Sequence, residues 1–280
     1  GHLKRVLLVV NEILKSDPTL RINLFCSTHL IIMAQNEINF KASERVNYYS
    51  HLALNEISWI TGELSNTRYE AWVNDIKNCK VLQKSVLIIS DNHVAPLQAY
   101  SKTLLMGNFL WHDVSLIDTL DKKIIFQHEN DLLNLLHPSM LSVKDVVMPN
   151  VIAQTQAVQL PWFCTRYEKG KTVLKGAVLF TGGGTELVNR QLAEMAKAVM
   201  IDLPAFTCFV DREINKLLKH HGFKSNLFSF SDEDFETLDV VVCRPGVGIL
   251  TDCVKYGITP IVINDDYNRE ISHNAYRVQE

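Results

Sequence analysis

The sequence predicts an α/β protein made of two Rossmann-like, doubly wound domains that face each other across a cleft. Short apolar strands alternate with helical stretches along the chain, although residues 37–64 are less regular and residues 149–175 interrupt the alternation. Strands separated by helices favour parallel βαβ units with right-handed crossovers. A chain of 280 residues is long enough for two such domains. We expect a first domain over residues 1–155 and a second over residues 156–280.

The first half opens directly in an amphipathic helix over residues 4–15, followed by a strand at 22–26. A parallel α/β domain normally places a strand before such a helix, so we expect a first strand ahead of Gly1 and further helices after Glu280. The other elements expected in this half are helix 67–80, strand 86–90, helix 95–101, strand 103–108 and a short strand at 146–148. Residues 149–175, with two prolines and a charged run, are interpreted as a connector.

The second half contains two strands that each run into a glycine turn and a helix. Strand 177–181 leads to Gly182-Gly183-Gly184 and a helix over 186–200. Strand 240–243 leads to Arg-Pro-Gly-Val-Gly and a helix that Gly257 ends. The remaining expected elements are strand 205–210, helix 213–220, strand 226–230 and strand 260–263.

These glycine turns indicate a site for a phosphate-bearing ligand. A helix N-terminus presents unpaired N–H groups and the positive end of a dipole, and glycine lets a ligand approach the backbone closely. Both turns are expected at the carboxyl edge of one sheet, where ligands bind in open α/β folds. Asp252, one turn into the second helix, is placed to bind ribose hydroxyls. No Gly-Lys-Ser/Thr follows either turn, so ATP with magnesium is not implied.

Composition excludes several classes of protein. The net charge of −3 offers no basic face for nucleic acid. The six cysteines form no CxxC pair, which is typical of the reduced thiols of a cytoplasmic protein. No apolar run approaches the roughly 20 residues of a membrane helix. No cluster with zinc spacing is present, so we expect neither a metal nor a cofactor.

Three stretches of the second half carry a family resemblance. Arg244-Pro245-Gly246 through Asp252, Tyr256 to Pro260, and Glu270 to Asn274-Ala275 resemble the donor-binding half of GT-B glycosyltransferases. They are most similar to the peptidoglycan N-acetylglucosaminyltransferase pattern: strand, R-x-G, S/T-E-x-x-x-x-G-x-P and Q-x-x-N-A. This chain departs from that pattern in having Asp252 for Glu and Ile271 for Gln.

The first half shows related similarities. Gly1-His2-Leu3-Lys4-Arg5 is similar to the G-H-x-x-R that follows the first strand of many GT-B enzymes. Residues 67–72, 89–91 and 107–113 resemble the glycosyltransferase-like N-terminal region of plant arabinokinases and related bacterial proteins.

The resemblance implies a nucleotide-sugar substrate, with UDP as its nucleotide, held mainly by the second domain. Asp252 would bind the ribose, the two glycine turns would face the diphosphate, and Phe230 would border the base. Glu270 and Asn274 would contact the sugar or shape their loop. The complete set of donor-binding candidates is Gly182, Gly183, Gly184, Thr185, Phe230, Arg244, Gly246, Val247, Gly248, Asp252, Glu270 and Asn274.

The resemblance also implies a catalytic pair, His2 and Asp91. Neutral imidazole is a competent base near pH 7, and a carboxylate behind it holds its tautomer and stabilises the imidazolium. His93 and Asp113, each in a loop after a strand, are the reserve candidates. Together with Asn108 and Trp111 they are the candidates for contacts to the acceptor.

The reaction we expect is inverting, metal-independent transfer of a sugar to an acceptor hydroxyl. The acceptor itself is unknown. If it were carried on a lipid, the protein would make peripheral contact with the inner membrane face. Two alternatives remain: a nucleotide-sugar hydrolase or 2-epimerase with the same donor site, and a nucleotide-sugar-binding module without turnover.

Overall fold

In the computed structural model, the chain divides into two compact units, His2–Pro161 and Trp162–Glu280. The structure describes residues 2–28, 30–32, 44–50, 65–115, 119–164, 176–183, 186–266 and 268–279. Within this part of the chain, no helix is both long and apolar enough to cross a membrane.

The first unit contains two parallel sheets. Strand β1 pairs with β2, and β3, β4, β5 and β6 form a four-stranded sheet in that order. The strands are β1 Ile22–Phe25, β2 Val46–Tyr49, β3 Ile89–Asp91, β4 Leu104–Met106, β5 Ser139–Val143 and β6 Gln156–Leu160. The helices are α1 His2–Ser16, α2 Asn66–Asn78, α3 Lys80–Gln83, a 3-10 turn Ala95–Gln98, α4 Trp111–Val114, α5 Leu120–Leu136 and α6 Pro149–Gln154. Because β3 to β6 are all parallel, the loops that follow them leave from one edge of the sheet.

The second unit is one five-stranded parallel sheet in the order β11-β10-β7-β8-β9. Its strands are β7 Ala177–Thr181, β8 Thr207–Val210, β9 Asn226–Leu227, β10 Val240–Cys243 and β11 Thr259–Val262. Its helices are α7 Glu186–Asp202, α8 Arg212–His220, α9 Asp232–Phe235, α10 Val247–Tyr256 and α11 Arg269–Gln279. The strand order reverses between β7 and β10, as in the Rossmann fold.

Two apolar clusters cover the two faces of this sheet. Phe180 and Val242 pack with residues of α7 and α8, including Leu192. Leu179 and Val241 face the other way and pack with residues of α9 and α10. Neighbouring residues of one strand point to opposite faces, and β7 is buried along its whole length and apolar up to Phe180, as expected of a strand buried on both sides. The sheet is therefore doubly wound.

The sequence prediction is wrong at the end of the first unit. Residues 146–148, predicted as a strand, lie in the turn after β5 and are buried there. The strands are instead Ser139–Val143 and Gln156–Leu160, and the latter lies inside the predicted connector. Because β6 is an edge strand whose polar side chains are largely exposed, it lacks the apolar pattern by which a buried strand is found.

A buried polar cluster joins α2 to α5 in the first unit. Tyr69 Oη donates a hydrogen bond of 2.7 Å to Glu129 and accepts one of 2.9 Å from Gln98 Nε2. Burial raises the pKa of Glu129 from its usual 4.5 to about 7, against the opposing effect of the Tyr69 hydrogen bond. Because the folded protein holds this proton more tightly than the unfolded chain, Glu129 lowers stability progressively as the pH rises from 4.5 to about 7.

Candidate functional site

The two glycine turns of the second unit lie side by side. Strand β7 ends at Thr181 and β10 ends at Cys243, and these two residues are directly paired in the parallel ladder. Each turn follows its strand immediately, so both leave from the carboxyl edge of the sheet at the point where the strand order reverses. Ligands of open α/β folds bind at this position. The prediction that both turns lie at this edge is confirmed.

The second turn leads into a helix that no side chain caps. Gly246 is the N-cap of α10, with φ −71° and ψ 149°. It has no side chain that could accept a hydrogen bond from the N–H groups in the first turn of the helix. By contrast, Ser65, Thr119 and Asp211 each cap their helices with a side-chain oxygen. Residues 246–249, which form this N-terminus, are only half-buried. This N-terminus can therefore accept an anion from solvent.

The first turn is held by an acid that sequence reasoning missed. Asp211 Oδ2 accepts from the Gly182 N–H at 3.0 Å and from Thr181 Oγ1 at 2.9 Å. Its other oxygen caps α8 through Glu213 N and Ile214 N. The Gly182 N–H therefore already donates to a carboxylate of the protein, and this hydrogen bond shapes the turn.

Gly182 also has no room for a side chain, because an added Cβ would lie 1.9 Å from Oδ1 of the buried Asn189. Gly183 is exposed and has a φ of +64°, a conformation that favours glycine. Of the two described glycines of this turn, Gly183 is the one whose backbone a ligand can reach. The other two candidates of this turn, Gly184 and Thr185, lie outside the described residues.

Residues of α11 and of the loop after β11 hold the Arg-Pro-Gly turn in position through hydrogen bonds. Asn274 is fully buried, and its Nδ2 donates to the Pro245 carbonyl at 2.9 Å. Arg244 Nε donates to Asp265 Oδ2 at 3.0 Å. Of the two roles expected for Asn274, shaping the loop is the one that its burial supports. The sequence did not predict this pairing, because Asp265 and Arg244 are 21 positions apart.

The rest of α11 explains one departure from the family pattern. Ile271, which replaces the family's glutamine, is 1% exposed and packs inside the unit. An apolar residue suits that position because no polar atom is left unpaired. Glu270 lies beside it in the first turn of α11 and is half-buried.

Asp252 lies in the second turn of α10 and is 5% exposed. Its charge contributes to raising the pKa of Tyr256, one helical turn further on, where burial is the largest cause and the hydrogen bond to Asp232 the second. Asp252 and Tyr256 are both buried, so they lie on the inward side of the helix. Val247 and Gly248 are in the preceding turn, so the acid and the uncapped N–H groups belong to one short helix.

Phe230 follows β9 at the same edge and has an unusual backbone conformation. Its φ is +63°, which is uncommon for a bulky residue and costs of order 1–3 kcal/mol. The turn is held by Asp234 Oδ2, which accepts from Ser229 N at 2.9 Å and Ser229 Oγ at 2.5 Å. The Phe230 ring packs edge-on against Phe228 at 5.1 Å and is still 43% exposed. Such a ring can stack on a planar base.

In the first unit, β3 ends against the start of α1. Asp91, the last residue of β3, forms an ion pair with Arg5. His2 begins α1 and precedes Arg5 by three positions, which places both on one face of the helix. Its side chain lies outside the described part of the structure, so the proposed pairing of His2 with Asp91 stays a prediction. The Arg5–Asp91 ion pair was not anticipated from the sequence.

The structure brings the acceptor-side candidates to this same sheet edge. The His93 ring stacks on Trp111, with centroids 5.9 Å apart, and meets Trp72 edge-on at 5.7 Å. Asn108 Oδ1 accepts from Val143 N at 2.7 Å. Asp113 Oδ1 accepts from Asn150 Nδ2 at 2.5 Å.

His112 adjoins Asp113, with its Nε2 3.3 Å from Asp113 Oδ1. Burial lowers the pKa of His112, and the negative charge of Asp113 opposes that effect. A neutral imidazole here can donate a hydrogen bond through one ring nitrogen and accept one through the other.

All six cysteines are free thiols, as the sequence predicted. Burial raises the pKa of Cys208 to about 11 and that of Cys243 to about 12, so their reactive thiolate forms are scarce at neutral pH. Among the residues that the structure describes, no group of three His, Cys, Asp or Glu side chains could hold a metal ion.

Comparison with known proteins gives similarity at the level of the fold. No family model and no curated protein matches the sequence. Among solved structures, a UDP-glucose:anthocyanidin 3-O-glucosyltransferase in complex with UDP matches with a TM-score of 0.62 at 10% identity, over 100% of this chain and 81% of that chain. The glycotransferase of kitacinnamycin matches with a TM-score of 0.55 at 11% identity, over 92% of this chain and 83% of that one. The protein therefore has the GT-B glycosyltransferase fold.

Proposed function

We propose that this protein is a glycosyltransferase that moves a sugar from a nucleotide-sugar donor to an acceptor hydroxyl. The observation that carries the proposal is the pair of adjacent glycine turns at the reversal of strand order, one of them leading into an uncapped helix that also contains Asp252. One solved structure of similar fold contains UDP, which supports UDP as the nucleotide.

The donor is held by the second unit. The diphosphate lies against Gly183 and the N–H groups of Val247 and Gly248, where the helix dipole favours negative charge. Asp252 accepts hydrogen bonds from the ribose hydroxyls, and Phe230 stacks on the base. Asp252 is almost covered, so binding requires the ribose to reach it past the first turn of α10. Arg244, Asn274 and Asp211 hold the two turns in place.

The reaction is a direct displacement with inversion. The acceptor oxygen attacks the anomeric carbon, and the bond from that carbon to the phosphate oxygen breaks, its electron pair leaving with the nucleoside diphosphate. His2 takes the acceptor proton, and Asp91, held by Arg5, stabilises the imidazolium. The helix N-terminus stabilises the charge on the leaving group, so no metal is required. The free thiols support a reducing, cytoplasmic location, and contact with the inner membrane face is proposed only for a lipid-borne acceptor.

Thermal unfolding with a panel of nucleoside diphosphates tests the donor site. A ligand at about 100 times its dissociation constant stabilises the folded protein by about 2.7 kcal/mol, which raises Tm by several degrees. We expect UDP to raise Tm and Asp252→Asn to abolish the rise. Asp202→Asn, an exposed acid of the same unit, is the matched control and should respond as the parent does. If no nucleotide shifts Tm, or if both variants respond alike, the donor site is wrongly assigned.

Incubation with nucleotide sugars alone then tests the reaction. A transferase leaves most of the donor intact until an acceptor is added. Rapid hydrolysis or epimerisation without an acceptor would identify a hydrolase or 2-epimerase instead. Tight nucleotide binding with no product from any acceptor would identify a binding module.

A further inference from the structure

Four exposed lysines lie together at the amino edge of the four-stranded sheet in the first unit, where its strands begin. Lys77 is in the last turn of α2, Lys80 begins α3, Lys84 is the C-cap of α3, and Lys102 lies two positions before β4. Within the described part of the chain, none of them forms an ion pair with an acid. We call these four residues the lysine cluster.

Hydrogen bonds hold together the segments that carry the lysine cluster. The Lys77 carbonyl accepts from Gln83 Nε2 at 2.9 Å, which ties the end of α2 to α3. The same carbonyl accepts from Tyr100 Oη at 3.5 Å, and Lys102 follows Tyr100 by two positions. The four ammonium groups therefore belong to one surface, where they favour a partner that carries several negative charges.

Few acids offset the charge of the lysine cluster. Asp75 is the one acid between residues 71 and 87, and residues 98–104 contain none. Asp75 lies two positions before Lys77 on α2, and residues two apart on a helix do not face each other. The chain as a whole has a net charge of −3, so the lysine cluster is a local positive surface that the overall charge does not reveal.

Exposed apolar side chains adjoin the lysine cluster. Val86 is 95% exposed and Leu87 is 54% exposed, and both lie between α3 and β3. Ile89 of β3 is paired with Leu104 of β4. Extended by two residues, this register places Leu87 beside Lys102. A valine exposed to this extent contributes almost no burial of apolar surface to the fold, and it remains available for burial against a partner.

The combination of cations and exposed apolar side chains narrows the class of partner. Duplex nucleic acid offers phosphates to the lysines but no apolar phase to Val86 and Leu87. An anionic membrane surface offers both, because its headgroups attract lysines and its headgroup–acyl boundary accepts small apolar side chains. Lysine stems also lie along apolar surface while their ammonium groups stay among the headgroups.

We propose that the lysine cluster, with Val86 and Leu87, docks the protein peripherally on an anionic membrane surface. Asp91 ends β3 and therefore lies at the opposite, carboxyl edge of the same sheet. Docking through the amino edge leaves the carboxyl edge, with the candidate catalytic and acceptor-side residues, directed away from the bilayer. The inference goes beyond the proposed function, in which membrane contact depends on a lipid-borne acceptor, and it does not require the donor site.

Cosedimentation of the full chain with vesicles tests the inference. The vesicles contain equal parts of phosphatidylcholine and phosphatidylglycerol, and vesicles of phosphatidylcholine alone are the comparator. Lys80→Gln/Lys84→Gln should lower the partition coefficient roughly 25-fold, about fivefold for each lysine. Val86→Ser should lower it about tenfold. Lys123→Gln/Lys144→Gln removes the same charge from two exposed lysines outside the cluster, and this matched control should bind as the parent does.

Binding to the anionic vesicles that both cluster variants weaken, and the control does not, would support the inference. Salt should release the protein, since raising it from about 0.1 M to about 1 M shortens the Debye length from about 10 Å to about 3 Å. Equal binding to both kinds of vesicle, or no binding to either, would overturn the inference. Equal weakening by the control would overturn it too.

A duplex oligonucleotide distinguishes a membrane site from a general site for polyanions. Oligonucleotide binding that Lys80→Gln/Lys84→Gln weakens, together with vesicle binding that Val86→Ser leaves unchanged, would identify a polyanion site and overturn the inference. The thermal shift with UDP is measured separately. A failure of vesicle binding therefore leaves the proposed donor site standing, and a failure of UDP to bind leaves the membrane-docking surface standing.

Discussion

Replacing Gly182 by Ala tests how tightly the first glycine turn is packed. The added Cβ would lie 1.9 Å from Asn189 Oδ1 and 3.3 Å from Leu192 Cδ1. Both neighbours are buried, so the turn must shift away from α7. Overpacking of this kind costs about 1–3 kcal/mol, which corresponds to a fall of roughly 2–10 °C in Tm for a protein of this size. Because the shifted turn carries Gly183, we expect UDP binding to weaken as well.

The double variant Gly182→Ala/Asn189→Ala distinguishes this steric cause from a general loss of stability. Truncating Asn189 removes the two nearest atoms and should restore part of the lost Tm relative to Gly182→Ala. Gly222→Ala is the control: its φ of +78° strains an alanine, but nothing lies within 4 Å of the added Cβ. It should lower Tm and leave UDP affinity unchanged. An unaltered Tm in Gly182→Ala, or no rescue by the second substitution, would refute the packing argument.

Three further predictions concern single residues. Asp211→Asn can still cap α8 but loses the oxygen that accepts a hydrogen bond from Gly182 N. We expect calorimetry to show weaker UDP binding, and thermal unfolding to show a Tm that is lower by a few degrees. Values of UDP affinity and Tm like those of the parent would contradict the role of Asp211. Phe230→Gly should be more stable than Phe230→Ala by about 1 kcal/mol, because glycine adopts the positive φ without strain. Both variants should bind UDP more weakly than the parent. The opposite order of their Tm values would show that the turn is unstrained. Glu129→Gln should raise Tm relative to the parent by a margin that grows from pH 4.5 to about 7 and is level above it. Over that range the unfolded parent releases the Glu129 proton while the folded parent keeps it, which lowers the stability of the parent, whereas glutamine does not titrate. A margin independent of pH would contradict the raised pKa of Glu129.

The second unit is predicted well by local signals. Strand β10, helix α10 and strand β11 occur where the apolar runs and glycines predicted them. Gly257 ends α10 in the left-handed conformation that glycine favours. The shared edge of the two turns follows from parallel pairing alone. These features depend on residues that are neighbours in the sequence.

The contacts that support the site could not be predicted in this way. Asp211 lies 29 residues from Gly182, and Arg5 lies 86 residues from Asp91, so neither contact leaves a pattern in a single sequence. An Asp before a helix predicts a helix N-cap. The sequence alone does not show which group the second carboxylate oxygen accepts a hydrogen bond from. Strand β6 was missed because its exposed edge lacks apolar alternation.

A crystal structure of the protein with UDP tests the central claim most directly. The account predicts the diphosphate within hydrogen-bond distance of the Val247 and Gly248 N–H groups and beside Gly183, with the ribose hydroxyls on Asp252. A UDP molecule bound away from these two turns, or with its ribose turned away from Asp252, would contradict it.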